Sequence, residues 1–296
     1  MEEGLTLGRR LTRVIVTPTG VTSALIFNFS SVMPETTGWA VDHLPKWPKQ
    51  EGQWRILIVT GNVAHFAGDM PLVFWPLLLN CGHWEHVIYV PGLYDYGSGT
   101  LQLGDEYLAV LEKFDSRLTV FGPKCDTKAL FLTGPALLVV GAPCFPSTVG
   151  SYVDAHVYER RGTESDLNAV TEEHAVLAAT AAQRLDADVA MLLATLEREA
   201  LPQPFTRVIV THGCPDEVLA AERKRSPFAA TVKLGNKRIY RCFAQLAVKY
   251  WFCGAPTDKP VAKMDESPTL LCSNCFVPSL RALPTHDCFI VKGPPQ

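Results

Sequence analysis

Four apolar runs in this chain stop abruptly at a small or polar turn, and the residues at those stops are the ones equipped for chemistry. "IVTGN" ends on Asn62, and "YVPGLYD" ends on Leu93, Tyr94 and Asp95. "IVTHGCP" passes through His212, and "WFCGAPTD" delivers Ala255 and Thr257. A fifth run near the start, "VIVTPTG", ends on Pro18 and Gly20. A carboxylate, an imidazole and an amide gathered at one edge of a sheet could hold a divalent cation or move a proton. Each also has a structural use. Asp95 can cap its own turn, Asn62 can satisfy backbone groups at a strand end, and His212 can be a hydrogen-bonded core histidine. With so few ligating side chains among them, the structural uses are the expectation.

Other constellations are weaker. Cys272-Ser273-Asn274-Cys275 is a C-x-x-C, but no second such pair completes a tetrahedral zinc site, although Cys253, His286 and Cys288 are conceivable partners. His83 and His86 precede an apolar run and are expected to face solvent. Gly97-Ser98-Gly99 is too short to cradle a phosphate and has no following lysine, and Ser98, Ser151 and Ser226 lie in no nucleophile-elbow context.

These stops need elements to position them. "RVIVT" (13–17), "WRILIVTG" (54–61) and "HVIYVPG" (86–92) read as strands, and an apolar helical segment from Met70-Pro71 separates the last two. Strand, crossover helix and strand predict a βαβ unit with parallel neighbours. A helix is expected over 104–117, with Leu108, Leu111 and Phe114 on one face, and a hairpin around Thr133-Gly134-Pro135. Residues 145–162 carry no period and read as a surface loop. Residues 163–200 are helical in pattern, with a break near Asp186-Ala187-Asp188. "TRVIVTHGCP", "KYWFCGAP", "TLLCSN" and "CFIVKG" return to strands, and "RIYRCFAQLA" to a short helix. In open α/β sheets, ligands bind at the carboxyl ends of strands, where these stops fall.

The order of the strand-end signals resembles the calcineurin-like metallophosphoesterase family over nearly the whole chain. The resemblance implies a single α/β domain spanning 1–296, a four-layer α/β/β/α sandwich of two mixed sheets flanked by helices, with insertions near 30–52 and 145–162. The family sets metal ligands at Asp-any-His, Gly-Asp, Gly-Asn-His-Asp/Glu, a lone His and Gly-His-any-His. On this alignment, those positions hold Pro18-Thr19-Gly20, Gly61-Asn62, Gly92-Leu93-Tyr94-Asp95, His212 and Gly254-Ala255-Pro256-Thr257. Asn274 resembles a structural asparagine of the family. The first, third and last motifs lack their ligands, so the expectation is a vestigial pocket with no catalytic residue, no metal and no cofactor. Two cations need several anionic ligands between them. The resemblance therefore implies a catalytically inactive protein acting as a structural or protein-interaction subunit, within a larger assembly. The rival is an active phosphoesterase binding Mn, Fe or Zn through His65, Asp69, Asp95 and His212. A module that binds a nucleotide without cleaving it would call for arginines, and none stands at the five strand ends.

Composition narrows the partners. The 296 residues are 47% hydrophobic and 19% charged with a net charge of −3, enough to bury a large core and too little positive charge to track a phosphate backbone, so no nucleic acid is expected. The longest apolar run, 70–79, holds two prolines and is about half a bilayer span, so no membrane is expected. Nine cysteines without framework spacing point to reduced thiols in an intracellular, cytoplasmic protein, with an organellar presequence left open by Arg9, Arg10 and Arg13. Trp39, Trp47, Trp84, Phe145, Tyr152 and Tyr158, and the segment 36–52, are the candidate protein contacts.

Overall fold

The computed structural model describes residues 12–31, 50–61, 63, 66, 70–81, 83–96, 101–145, 184–197, 204–215, 246–254, 261–264, 267–273, 275–276 and 289–292. Its first five strands are β1 (Thr12–Ile15), β2 (Ser23–Ser31), β3 (Gln53–Val59), β4 (His86–Tyr89) and β5 (Leu118–Val120). They are followed by β6 (Ala129–Leu132), β7 (Leu137–Ala142), β8 (Thr206–Thr211) and β9 (Val248–Cys253). The chain closes with β10 (Val261–Lys263), β11 (Leu270–Ser273), β12 (Cys275–Phe276) and β13 (Phe289–Lys292). The described helices are α1 (Met70–Asn80), α2 (Leu101–Leu111) and α3 (184–197).

The strands form two mixed sheets. One runs β12-β2-β3-β4-β5, with β13 antiparallel to the first half of β2, on the same edge that β12 occupies further along. The other runs β1-β6-β7-β8-β9-β11-β10, antiparallel only at the β6–β7 hairpin and at β10. Parallel strands covered on both faces read as unbroken apolar runs, and β2, β3 and β4 do so. Ala24, Ile26, Ile56, Ile58 and Ile88 point to the other sheet, where they meet Leu130, Val139, Val208 and Phe252. Phe27, Phe29, Leu57, Val59 and Tyr89 point the other way, onto Phe74, Trp75 and Leu78 of α1 and Leu108 of α2. On the far side of the second sheet, Leu185, Val189, Leu192 and Leu196 of α3 cover Val140, Ile209 and Trp251. Three apolar seams thus separate four layers: helices, sheet, sheet, helix.

The βαβ unit holds. β3 and β4 pair in parallel from Ile56–His86 to Val59–Tyr89 with α1 between them, and the hairpin pairs Leu132 with Leu137. Several expectations are corrected. The run at 13–17, which the sequence left without a neighbour, is the edge strand of the second sheet, paired with β6, and Val14 and Val16 are exposed. The neighbour of β3 is β2, whose run "SALIFNF" carries Ser and Asn among its apolar residues. The helix expected over 104–117 spans Leu101–Leu111, and Phe114 is exposed rather than packed. α3 runs unbroken through Asp186-Ala187-Asp188. Trp84 and Phe145 are buried, so neither is a surface contact.

His86 is also buried rather than solvent-facing, at the start of β4, with its Nε2 2.8 Å from the Thr119 hydroxyl. Arg13 reaches from β1 across the sandwich to donate to the Leu118 carbonyl at 2.8 Å. Burial, reinforced by the Arg13 charge, pushes the His86 imidazole down to about 3 and keeps it neutral. Most of the proposed insertions near 30–52 and 145–162 lies outside the described residues, as does most of 238–247. Among the described residues no helix is long and apolar enough to cross a membrane.

Candidate functional site

Strands β3, β4, β8 and β9 deliver their carboxyl ends to one place, and glycines let the backbones touch there. At Gly61, which has φ +90°, an added Cβ would lie 2.2 Å from the Gly92 nitrogen and 2.7 Å from His212 Nδ1. At Gly254 it would lie 2.0 Å from the Thr60 carbonyl oxygen and 2.9 Å from His212 Nδ1. The two sheets therefore meet at this edge through main chain and one imidazole, with no room for a side chain in between.

His212 is buried and its Nδ1 is 2.8 Å from the Thr60 carbonyl oxygen, crossing from the second sheet to the first. A carbonyl can only accept, so the proton is on Nδ1 and the lone pair on Nε2. Burial holds the imidazole below its ordinary range, outweighing the upward pull of the Thr60 carbonyl and the Asp95 charge. The Phe145 ring stands edge-on to it at 6.2 Å, and the His212 amide donates to the Pro143 carbonyl at 3.0 Å.

Asp95 sits in a short 3-10 helix, Leu93–Tyr96, and is fully buried. Its Oδ1 accepts from the Val63 amide at 2.6 Å, and its Oδ2 from the Gly92 amide and the Tyr89 hydroxyl, both at 2.7 Å. Its own carbonyl accepts the Phe66 amide at 2.7 Å. One carboxylate thus ties the loop after β3 to the loop after β4 through charge-assisted bonds. Burial and the Asp95 charge push the Tyr89 phenol well up, so Tyr89 retains the proton it donates.

A residue that strand-end reasoning missed completes the cluster. Asn28, fully buried in β2, donates through Nδ2 to the Cys253 carbonyl at 2.9 Å and toward the Cys272 carbonyl at 3.4 Å, and its Oδ1 accepts the Thr60 hydroxyl at 3.0 Å. It binds β2 and β3 of one sheet to β9 and β11 of the other. The strand that ends beside β3 is β2, so the Asp-any-His position of the resemblance falls on Asn28-Phe29-Ser30. The only signal in the sequence was an asparagine in an otherwise apolar run.

The sequence-predicted residues divide accordingly. Asp95 and His212 are brought to the same edge. Pro18 and Gly20 are not: they are exposed in the turn between β1 and β2, beside Gly52 and Gly134, at the amino ends of β2 and β3. The five steps of β2 from Ser23 to Asn28 put that turn about 17 Å or more from the cluster. Asn62, His65, Asp69, Ala255, Thr257 and Asn274 lie outside the described residues. For Leu93 and Tyr94 the backbone is described and the side chains are not.

Around the cluster, the Cys253 thiol is pushed well up by its hydrogen bond to the Cys214 thiol and by burial. Next to Phe145, the Cys144 amide donates to Asp188 of α3 at 2.9 Å, and burial raises the Asp188 carboxyl to about 6. Asp105 of α2 accepts both terminal nitrogens of Arg184 of α3, at 3.1 and 2.6 Å, and the Tyr96 hydroxyl at 3.1 Å. Among the described residues, no three His, Cys, Asp or Glu side chains are grouped to hold a metal ion. Among the described residues, the side chains in this hydrogen-bonded cluster are a neutral amide, a neutral imidazole and one carboxylate accepting three donors. Those three alone do not make up the donor set of a two-cation centre.

No protein-family model and no curated protein sequence matches the chain. Among solved structures, it is similar to the phosphopantetheinyl hydrolase PptH from Mycobacterium tuberculosis, at 15% identity and a TM-score of 0.61, over 92% of this chain and 96% of that one. It is also similar to a Staphylococcus aureus protein assigned as a 5′-nucleotidase, in complex with alpha-ketoglutarate, at 12% identity and a TM-score of 0.41. That match covers 86% of this chain and 48% of the other, and is too slight to bear on the fold. The first match supports the architecture: an α/β fold of two mixed sheets flanked by helices, a metallophosphoesterase-like sandwich.

Proposed function

We propose that the chain is a non-catalytic protein on a metallophosphoesterase-like fold, serving as a structural or protein-interaction subunit. One observation carries this reading: the polar side chains at the carboxyl edge of the sheets are turned onto the protein's own groups. Asp95 holds the Val63 and Gly92 amides and the Tyr89 hydroxyl, and Asn28 holds two carbonyls of the opposite sheet. A catalytic edge keeps such groups aimed at a reacting atom within about 3 Å. At this edge, they act as fasteners between loops and between layers.

A second reading, a Mn-, Fe- or Zn-dependent phosphoesterase using His65, Asp69, Asp95 and His212, is favoured by the His212 tautomer. An imidazole that donates Nδ1–H to a backbone carbonyl presents Nε2 as metal-ligating histidines do. Asp95 weighs against it, because coordination would compete with three short hydrogen bonds.

Hydrolysis of p-nitrophenyl phosphate and of its bis-ester in excess manganese separates the two. The non-catalytic reading expects wild type and His212→Ala to give the same background rate. Manganese-dependent turnover that disappears in His212→Ala would overturn it.

A further inference from the structure

Strand β7 ends at Ala142, and the residues that follow it cross from one outer seam of the sandwich to the other. Cys144 lies in the apolar seam between the seven-stranded sheet and α3, whereas Phe145 lies in the seam between the six-stranded sheet and helices α1 and α2. One residue step therefore carries the chain over the carboxyl edge of the sheets. Both side chains are fully buried. The crossing is fastened at each residue. The Pro143 carbonyl accepts the His212 amide at 3.0 Å, and the Cys144 amide donates to the buried Asp188 of α3 at 2.9 Å. The Phe145 ring stands edge-on to Tyr96 at 5.8 Å and to the His212 imidazole at 6.2 Å.

A second fastening spans the same edge. Tyr96 donates to Asp105, and Asp105 accepts both terminal nitrogens of Arg184. Asp105 belongs to α2, outside one sheet, and Arg184 to α3, outside the other, so their ion pair joins the two outer layers beside Phe145. The Cys144 backbone shows what these contacts resist. Its φ is +44°, in the left-handed region that a residue with a Cβ rarely adopts. Such a backbone persists only where the surroundings hold it there. The carboxyl ends of strands in α/β sheets are also where a ligand reaches the fold, and at this edge the ring packed on the imidazole is Phe145.

We propose that Pro143-Cys144-Phe145 is a strap that closes the carboxyl edge over His212, held shut by Asp188 and the Asp105–Arg184 pair against the strain at Cys144. Withdrawal of Phe145 from its seam opens the imidazole to solutes while the two sheets stay packed. The strap does not depend on the catalytic status of the strand-end cluster, because it governs access to that edge and not what happens there.

Carbethoxylation of the full chain by diethyl pyrocarbonate at neutral pH, with each histidine's rate read by peptide mass spectrometry, tests it. In wild type, His212 is expected to react far more slowly than the partly exposed His83. Phe145→Ala should speed labelling of His212 by about tenfold or more, since the seam no longer holds the ring. His86, buried within the sandwich away from the strap, reports general unfolding and should keep its wild-type rate. Asp188→Ala should label His212 about three- to tenfold faster than Asp188→Asn, because only asparagine can still accept the Cys144 amide. A wild-type His212 as reactive as His83, an unchanged His212 rate in Phe145→Ala, equal rates in the two Asp188 variants, or a rise at His86 matching that at His212 would each overturn the proposal.

Discussion

Asp95 is the only carboxylate described at the strand-end edge, and its two oxygens take two backbone amides and a phenol. Asp95→Ala leaves three buried donors without an acceptor, and such groups cost about 1–3 kcal/mol each when stranded. The variant is therefore expected to lose about 3–5 kcal/mol of stability in urea denaturation; a loss below 1 kcal/mol would mean that the loops hold without it. Two buried residues outside the edge give stability opposite slopes with pH. His86 titrates near 3 in the folded state and near 6.5 unfolded, so between those values the unfolded chain binds more protons and stability falls as pH falls. Wild type is expected to lose about 2 kcal/mol from this group between pH 8 and 5, and His86→Gln should abolish that part of the slope. Asp188 behaves in reverse: with a folded value of about 6, it keeps its proton longer folded than unfolded, and stability falls as pH rises from about 4 to 6. Asp188→Asn, which can still accept the Cys144 amide, should gain up to about 3 kcal/mol at pH 7.5 and little at pH 4. Denaturation midpoints at pH 4, 5 and 8 check both signs. The sequence showed Asp95 and His212 because each follows a strand that stops at a small or polar turn. His86 was misread as solvent-facing because nothing local distinguishes a histidine at the first position of a buried strand from one in the loop before it.

At the scale of elements, close approach is the controlling feature. Gly61 and Gly254 stand where a Cβ would strike backbone atoms that cannot swing aside, at 2.2 and 2.0 Å, whereas Gly20 shares a positive φ of +89° but has open space around it. Comparing the three alanine variants separates the two costs. Gly20→Ala should cost about 1 kcal/mol, the conformational penalty alone. Gly61→Ala and Gly254→Ala should each cost about 3 kcal/mol or more, by thermal unfolding, because β3, β4, β8 and β9 must move apart at their carboxyl ends. Equal melting temperatures for all three would show that the strand ends are loosely held. Strands β3, β4, β8 and β9 were legible because each is a β-branched or aromatic run with a sharp stop. Strand β2 was not, since Ser23 and Asn28 break its apolar pattern and a Pro-Thr-Gly turn precedes it. The place of strand β1 was not legible for the complementary reason: a short β-branched run looks the same at the edge of one sheet as in the centre of another, and only its pairing with β6 decides.

For the whole molecule, the layer order was legible and the joint between the layers was not. Alternating strands and helices with parallel crossovers predict the sandwich, and the three apolar seams deliver it. Asn28, which fastens the two sheets across their interior, owes its role to four strands far apart in sequence and has no local signature. Moving the first motif from Pro18-Thr19-Gly20 to Asn28-Phe29-Ser30 leaves a neutral amide in place of an aspartate, in a setting of carbonyl oxygens that would repel a carboxylate. On the reading proposed above, this edge is a fastening between loops and sheets rather than a metal centre. The most direct test is elemental analysis of the full chain, purified without chelator, loaded with excess manganese and desalted. The account predicts well under one metal ion per chain, whereas about two per chain would contradict it and restore the binuclear phosphoesterase.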